Sequence, residues 1–135
     1  MSKNLRFIPV NVPKLYKKEK QNVIKCLKTN WISSEGKFVK EFEKKFSKFN
    51  SRKYGVAVSS GTAALEVALK SLNLKKNSEV IIPSFSIIST ALCVIKCDLK
   101  PILVDCNLYT WNTESNEILK KITKKTSAII LTHIY

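Results

Sequence analysis

Ser59-Ser60-Gly61-Thr62-Ala63 is a pentad whose residue types suit an anion site. It sits within YGVAVSSGTAALEVAL, Tyr54 to Leu69, where a short β-branched run gives way to an apolar helical pattern. At a helix start the first N–H groups lack intrahelical partners, and the helix dipole adds partial positive charge. A phosphate would satisfy both. Gly61 lets the backbone approach an anion closely, and the Thr62 hydroxyl adds a donor in the same turn. The same residues also suit a plain corner in which Ser60 caps the helix and Gly61 makes a tight turn. The stretch matches neither G-x-G-x-x-G nor G-x-x-x-x-G-K-[ST], so the dinucleotide and P-loop patterns are not met.

Other reactive residue types are not arranged for chemistry. Cys26, Cys93, Cys97 and Cys106 are unclustered and fall mostly in apolar periodic segments, so buried thiols are expected rather than a disulfide framework. Cys93 and Cys97 share a helical spacing, but two thiols do not make a metal site, and His133 is the single histidine. No metal is expected. His133 takes a structural reading, and Asp105 suits a cap or a hydrogen bond to the loop CNLYTWN.

The elements that must position the pentad alternate along the chain. PKLYKKEKQNVIKCLKTN carries Val23, Ile24 and Leu27 at helical spacing, with Pro13 near the start as a first helical turn permits. After the loop WISSEG, Phe38, Val39, Phe42, Phe46 and Phe49 form one stripe, with lysines and Glu41 opposite. YGVAVSS predicts a strand, GTAALEVALKSLN a helix, and EVIIP a strand buried on both faces. SIISTALCVIK follows as a largely buried helix, then the strand KPILVD, the helix SNEILKKITKK and the strand SAIILTHIY. Four strands separated by three helices predict an α/β fold, three-layer, with a mainly parallel sheet. Residues 1–53 form an N-terminal helical segment leading into a partial α/β domain over 54–135.

Composition narrows the class. With 135 residues and 44% hydrophobic content, the chain can build one domain with a real core. No apolar run approaches the roughly 20 residues of a membrane span, and the N-terminus lacks the apolar core of a secretory signal. A cytoplasmic protein without a membrane partner is the expectation. The formal charge is +14, of which residues 1–53 carry +11 through 15 basic against 4 acidic side chains. Nearly all the basic residues are lysines spread over polar helix faces, without an arginine-rich, aromatic-interleaved patch. A solvated lysine face explains this better than nucleic-acid binding, with attraction of an acidic ligand or surface as the other reading.

Read in order, IPVNVP, WISSEGKFVKEFEKKF, YGVAVSSGTAALEVAL, EVIIPSFSIISTA, KPILVDCNLYTWN and KTSAIILTHIY resemble the N-terminal half of the DegT/DnrJ/EryC1/StrS family. These are sugar aminotransferases that use pyridoxal 5′-phosphate and have the fold-type I aminotransferase architecture. The resemblance runs from about Phe7 to Tyr135 in six collinear blocks, and is strongest to members that make perosamine-like or other amino-dideoxy sugars on nucleotide carriers. It implies a large-domain sheet, a keto-sugar nucleotide substrate, an amino-acid donor and a homodimer. It also implies that Gly61, Thr62 and Ala63, with Ser60 beside them, hold the cofactor phosphate. In PSFSIIST the family usually has an aromatic residue, stacked on the pyridine ring, where this chain has Ile87. Isoleucine covers a ring by dispersion but forgoes the stacking term, about 1 kcal/mol. Either the cofactor is held less tightly or Phe85 reaches over it, although Phe85 otherwise reads as a core residue.

Trp31 and Ser33 match a family segment near the active site and dimer contact, where they would be substrate-binding. The alternative is that Trp31 packs and a serine caps the next helix. The family's Schiff-base lysine and the acidic partner of its pyridinium nitrogen are expected beyond Tyr135, so no catalytic residue is assigned and the chain alone is expected to be inactive. Two other classes fit the residues present: a binding module for a phosphorylated ligand, and a basic nucleic-acid binder resting on the charge of residues 1–53.

Overall fold

The computed structural model describes residues 7–134; residues 1–6 and Tyr135, which belong to the N-terminal segment and the final HIY, lie outside the described residues. The chain divides into two compact units, one ending at Val56 and one beginning at Ala57.

The first unit contains α1 (Lys17–Lys28) and α2 (Lys37–Phe49). Pro13 precedes α1 instead of sitting in its first turn, because the chain is still extended at the N-cap, Tyr16. The N-cap of α2 is Gly36, with no side-chain cap, so the serine cap contemplated for WISSEG is not made. Gly36 N–H instead donates to the Ser33 carbonyl at 3.3 Å. The phenylalanine spacing builds α2 as expected, and Phe42 stacks on Phe46 with ring centroids 5.3 Å apart. Both rings remain more than half exposed, and no large apolar side chain is buried among the described residues of this unit. Helical periodicity dictates which residues share a face, but covering that face takes a second apolar surface. At the end of the unit the backbone passes tightly over α2: a Cβ on Gly55 would lie 2.8 Å from the Glu43 carbonyl oxygen.

The second unit is built on a three-stranded parallel sheet, in the order β2-β1-β3, from β1 (Glu79–Pro83), β2 (Lys100–Val104) and β3 (Thr126–Ile129). Ile81 aligns with Ile102 on one side and Ile129 on the other. All of EVIIP is buried, as an uninterrupted apolar strand between two neighbours should be. Val80, Ile81 and Ile82 are essentially inaccessible, each contributing about 1.5–3 kcal/mol through burial.

YGVAVSS does not form the first of four strands. Its backbone is extended, as at Ser60 (φ −161°, ψ 164°), but it joins no ladder, because β1 is already flanked on both sides and neither outer strand pairs with this segment. β-branched residues favour extended backbone, whereas strand formation also requires a neighbour. Three helices complete the unit: α3 (Gly61–Ser71), α4 (Ser89–Lys96) and α5 (Ser115–Lys121).

Leu69 of α3, Val80 and Ile82 of β1, Cys93 and Val94 of α4, and Leu99 form the core cluster. The crossover through α4 runs from β1 to β2, and the next, through α5, returns past β1 to β3. Parallel crossovers follow a right-handed rule, and by that rule two crossovers in opposite directions put their helices on opposite faces of the sheet, the three-layer arrangement predicted from the sequence. The four cysteines are free thiols, and the burial expected of them is met fully only at Cys93; Cys26, Cys97 and Cys106 are half-buried. Among the described residues no helix is long and apolar enough to cross a membrane, and no cluster of potential metal ligands forms.

Candidate functional site

The reversal of crossover direction makes β1 and β3 the two sides of a topological switch point, and ligands of open α/β sheets bind at the carboxyl ends of such strands. Here those ends are the segment Ser84–Ile88, which leads into α4, and residues 130–134 after β3. Phe85, Ser86, Ile87, His133 and Ile134 line an open cleft of about 370 Å³ between them. Ile130 N–H donates to the Ile81 carbonyl at 2.9 Å, extending the β1–β3 pairing just before the cleft.

The pentad borders this edge through α3. Ser60 Oγ accepts from Ala63 N–H at 3.2 Å and the Ser60 carbonyl from Ala64 N–H at 3.0 Å, so Ser60 is a helix cap as its type predicts. Ala63 N–H is therefore occupied, while the N–H groups of Gly61 and Thr62 donate to no acceptor among the described residues. The Thr62 hydroxyl donates to Ser89 Oγ at 2.9 Å, which joins the first turn of α3 to the first turn of α4. Nothing local to Thr62 in the sequence points to Ser89, a partner in the next helix.

Gly61 is the informative position. Its φ is not positive, and a Cβ built on it would meet nothing within 4 Å. Neither backbone conformation nor packing among the described residues requires glycine there, so the tight-turn explanation does not account for it.

Ile87 stands just before α4, 69% exposed, with no aromatic ring in its place. Phe85 is not a core residue: it is 41% exposed and tilts against Trp111, ring centroids 5.0 Å apart. Trp111 has positive φ (59°) and lies in the CNLYTWN loop, where the backbone N–H groups of Tyr109 and Thr110 donate to Asn107 Oδ1. Asp105 has the loop role its position suggested, accepting from Cys106 N–H at 2.8 Å and from the Ser84 hydroxyl at 3.3 Å. His133 lines the cleft.

Trp31 and Ser33 belong to the other unit and face a separate groove of about 630 Å³, with Cys26, Leu27, Phe38 and Val39 also in its lining. Trp31 is 55% exposed, so it does not pack as an ordinary buried aromatic.

Comparison with known proteins decides the lineage. The model of the DegT/DnrJ/EryC1/StrS aminotransferase family matches residues 13–135. The chain belongs to this family. As a DegT/DnrJ/EryC1/StrS chain it is 40% identical to GDP-perosamine synthase of Escherichia coli O157:H7 over 97% of its own length and 36% of the relative's. It is 38% identical to GDP-perosamine synthase of Caulobacter vibrioides, over 95% of its length and 34% of that protein's. The chain spans about a third of the length of these curated relatives.

Among solved structures, GDP-4-keto-6-deoxy-D-mannose-3-dehydratase of E. coli with bound hydrated PLP superposes with a TM-score of 0.80 at 28% identity, over 90% of this chain and 32% of that one. An aminotransferase from Psychrobacter cryohalolentis gives 0.79 at 28% identity, over 90% and 31%. The α/β sheet of this DegT/DnrJ/EryC1/StrS chain thus resembles part of the fold-type I aminotransferase large domain.

Proposed function

We propose that the chain is the N-terminal, cofactor-binding portion of a pyridoxal 5′-phosphate-dependent aminotransferase that moves an amino group from an amino acid to a keto-sugar nucleotide, in amino-dideoxy sugar synthesis. The observation that carries this reading is Gly61. At a helix start with free N–H groups, it leaves open the volume a Cβ would fill, and the chain makes no other use of that space.

The residues present fit the cofactor. Gly61 and Thr62 hold the phosphate through backbone N–H groups, with the α3 dipole directed at it. Ser60 and Ala63 shape the turn through their capping bond. Ile87 covers one face of the pyridine ring, at the cost of the stacking term an aromatic would add. When bound, pyridoxal phosphate supplies a carrier for the amino group and a ring that accepts electron density. Trp31 and Ser33 are assigned to the substrate side. The working enzyme is a cytoplasmic homodimer in this reading, with the Schiff-base lysine supplied from outside residues 7–134.

Among the described residues the cleft lining includes no lysine. That favours a second reading for the chain alone, a non-catalytic module that holds a phosphorylated ligand. One experiment separates the two: thermal unfolding of the chain with pyridoxal phosphate, pyridoxal and inorganic phosphate, each in excess. A ligand specific to the native state at about 100 times its Kd stabilises by about 2.7 kcal/mol. Pyridoxal phosphate is expected to protect more than phosphate, pyridoxal hardly at all, and Gly61→Val to abolish the effect. Equal protection by phosphate and pyridoxal phosphate would establish the binding module instead. In either case the chain alone is expected to show no transaminase turnover.

A further inference from the structure

Beyond the last β1–β3 ladder bond, the cleft walls are joined by a cluster of hydroxyls. Ser86 Oγ lies 3.0 Å from Thr90 Oγ1 and 3.1 Å from Thr132 Oγ1. Thr90 is buried at 3% exposure in the first turn of α4, and Ser86 and Thr132 are half-buried. A hydroxyl donates once and accepts up to twice, so Ser86 can satisfy both neighbours simultaneously. The chain positions matter as much as the distances. Ser86 stands between Phe85 and Ile87 on one wall, and Thr132 immediately precedes His133 on the other. The Ser86–Thr132 bond is the one side-chain hydrogen bond linking these two walls among the described residues, and it bridges 46 positions of sequence.

We propose that Ser86, Thr90 and Thr132 are positioning residues: a hydroxyl clamp that sets the separation of the cleft walls so that a flat aromatic ring is gripped between Ile87 and the His133 side. The proposal rests on the pyridoxal phosphate reading of the same cleft. Ile87 gives the clamp its importance, because dispersion contact with an aliphatic side chain falls off steeply when the gap widens by a fraction of an ångström. Thr90 anchors the clamp to the core side of α4, so Ser86 does not simply follow the loop. The phosphate corner at Gly61 has its own hydrogen bonds, Ser60–Ala63 and Thr62–Ser89, neither of which uses a clamp hydroxyl, so loss of the clamp bond to Thr132 is expected to act on the ring more than on the phosphate.

The test is equilibrium binding of pyridoxal phosphate and of inorganic phosphate to the full chain and its variants. Thr132→Val removes the hydroxyl at nearly constant shape; it is expected to weaken pyridoxal phosphate about tenfold while phosphate affinity stays within about twofold. Thr132→Ser is expected to restore the ring-dependent part, and Ser86→Ala, which removes the bond from the other wall, to match Thr132→Val. If Thr132→Val fails to fold, Ser86→Ala carries the same readout. The clamp is overturned if the chain prefers pyridoxal phosphate to phosphate and the variants keep that preference, or if both affinities fall in parallel. A chain with no preference for pyridoxal phosphate over phosphate would overturn the cofactor reading together with the clamp.

Discussion

The Thr62 hydroxyl donates to Ser89 Oγ at 2.9 Å, fastening the N-terminal turn of α3 to that of α4 at the carboxyl edge of the sheet. Both side chains are half-buried, so losing the bond leaves Ser89 partly desolvated without its donor. Thr62→Val is expected to lower unfolding free energy by about 1 kcal/mol, read as a shift in urea midpoint, and Thr62→Ser to recover most of it. A Thr62→Val chain as stable as the parent would mean that the two helix starts are held by packing alone.

Gly55 and Gly61 should respond oppositely to alanine. At Gly55 a Cβ would lie 2.8 Å from the Glu43 carbonyl oxygen and 3.3 Å from Ser47 Cβ, and the carbonyl belongs to a helix that cannot easily move. Gly55→Ala is expected to destabilise by about 1–3 kcal/mol in chemical denaturation. Gly61→Ala meets open space and is expected to leave stability unchanged or raise it by up to about 1 kcal/mol, while weakening phosphate-ligand binding at least about tenfold. Loss of stability without loss of binding at Gly61 would assign this glycine to the fold.

Ile87 is 69% exposed, so a larger ring fits there without repacking. Ile87→Phe is expected to tighten pyridoxal phosphate binding by about 1 kcal/mol, roughly fivefold, without changing affinity for inorganic phosphate. Spectrophotometric titration of the cofactor band measures this. Unchanged affinity would show that the ring does not lie against this residue.

Two groups report on pH. Lys70 Nζ stands 2.7 Å from Glu66 Oε1, and its hydrogen bond and charge hold the Glu66 carboxyl below the ordinary 4.5, with Lys96 adding a weaker pull. A depressed acid contributes stability that is present above the unfolded value and lost as pH falls through the folded one. Lys70→Met is therefore expected to raise the Glu66 titration midpoint in carboxyl-detected NMR. Cys93 behaves in the opposite direction: burial, followed by the nearby Cys97, pushes its thiol above 9.0. Its contribution is present below that pH and lost as pH rises through the folded value. With a thiol reagent near pH 8, Cys93 is expected to react last of the four cysteines, and early labelling of Cys93 would contradict its burial.

Much of the fold was legible because its signals are local. The phenylalanine spacing of α2, the apolar run EVIIP and the Ser60 cap each depend on neighbours within a few residues, and each appears as expected. YGVAVSS shows where that legibility ends. Its β-branched residues extend the backbone, yet it pairs with no strand, because ladder partners are set by topology. Phe85 follows the same rule: its apolar type suggests a core position, whereas the loop places it against Trp111, from another part of the chain.

The sequence by itself determined the helices α1 to α5 to within their ends, the strands of the parallel sheet and the glycine at the start of α3. Side-chain period and capping chemistry act over one or two turns, so they are written in consecutive residues. Tertiary structure alone decided that β1 lies between β2 and β3, that Phe42, Phe46 and Phe49 of the α2 stripe stay exposed, and that Ser86 meets Thr132 across the cleft. Those outcomes depend on which distant surfaces come together, and a hydroxyl bridge across 46 positions leaves no local trace.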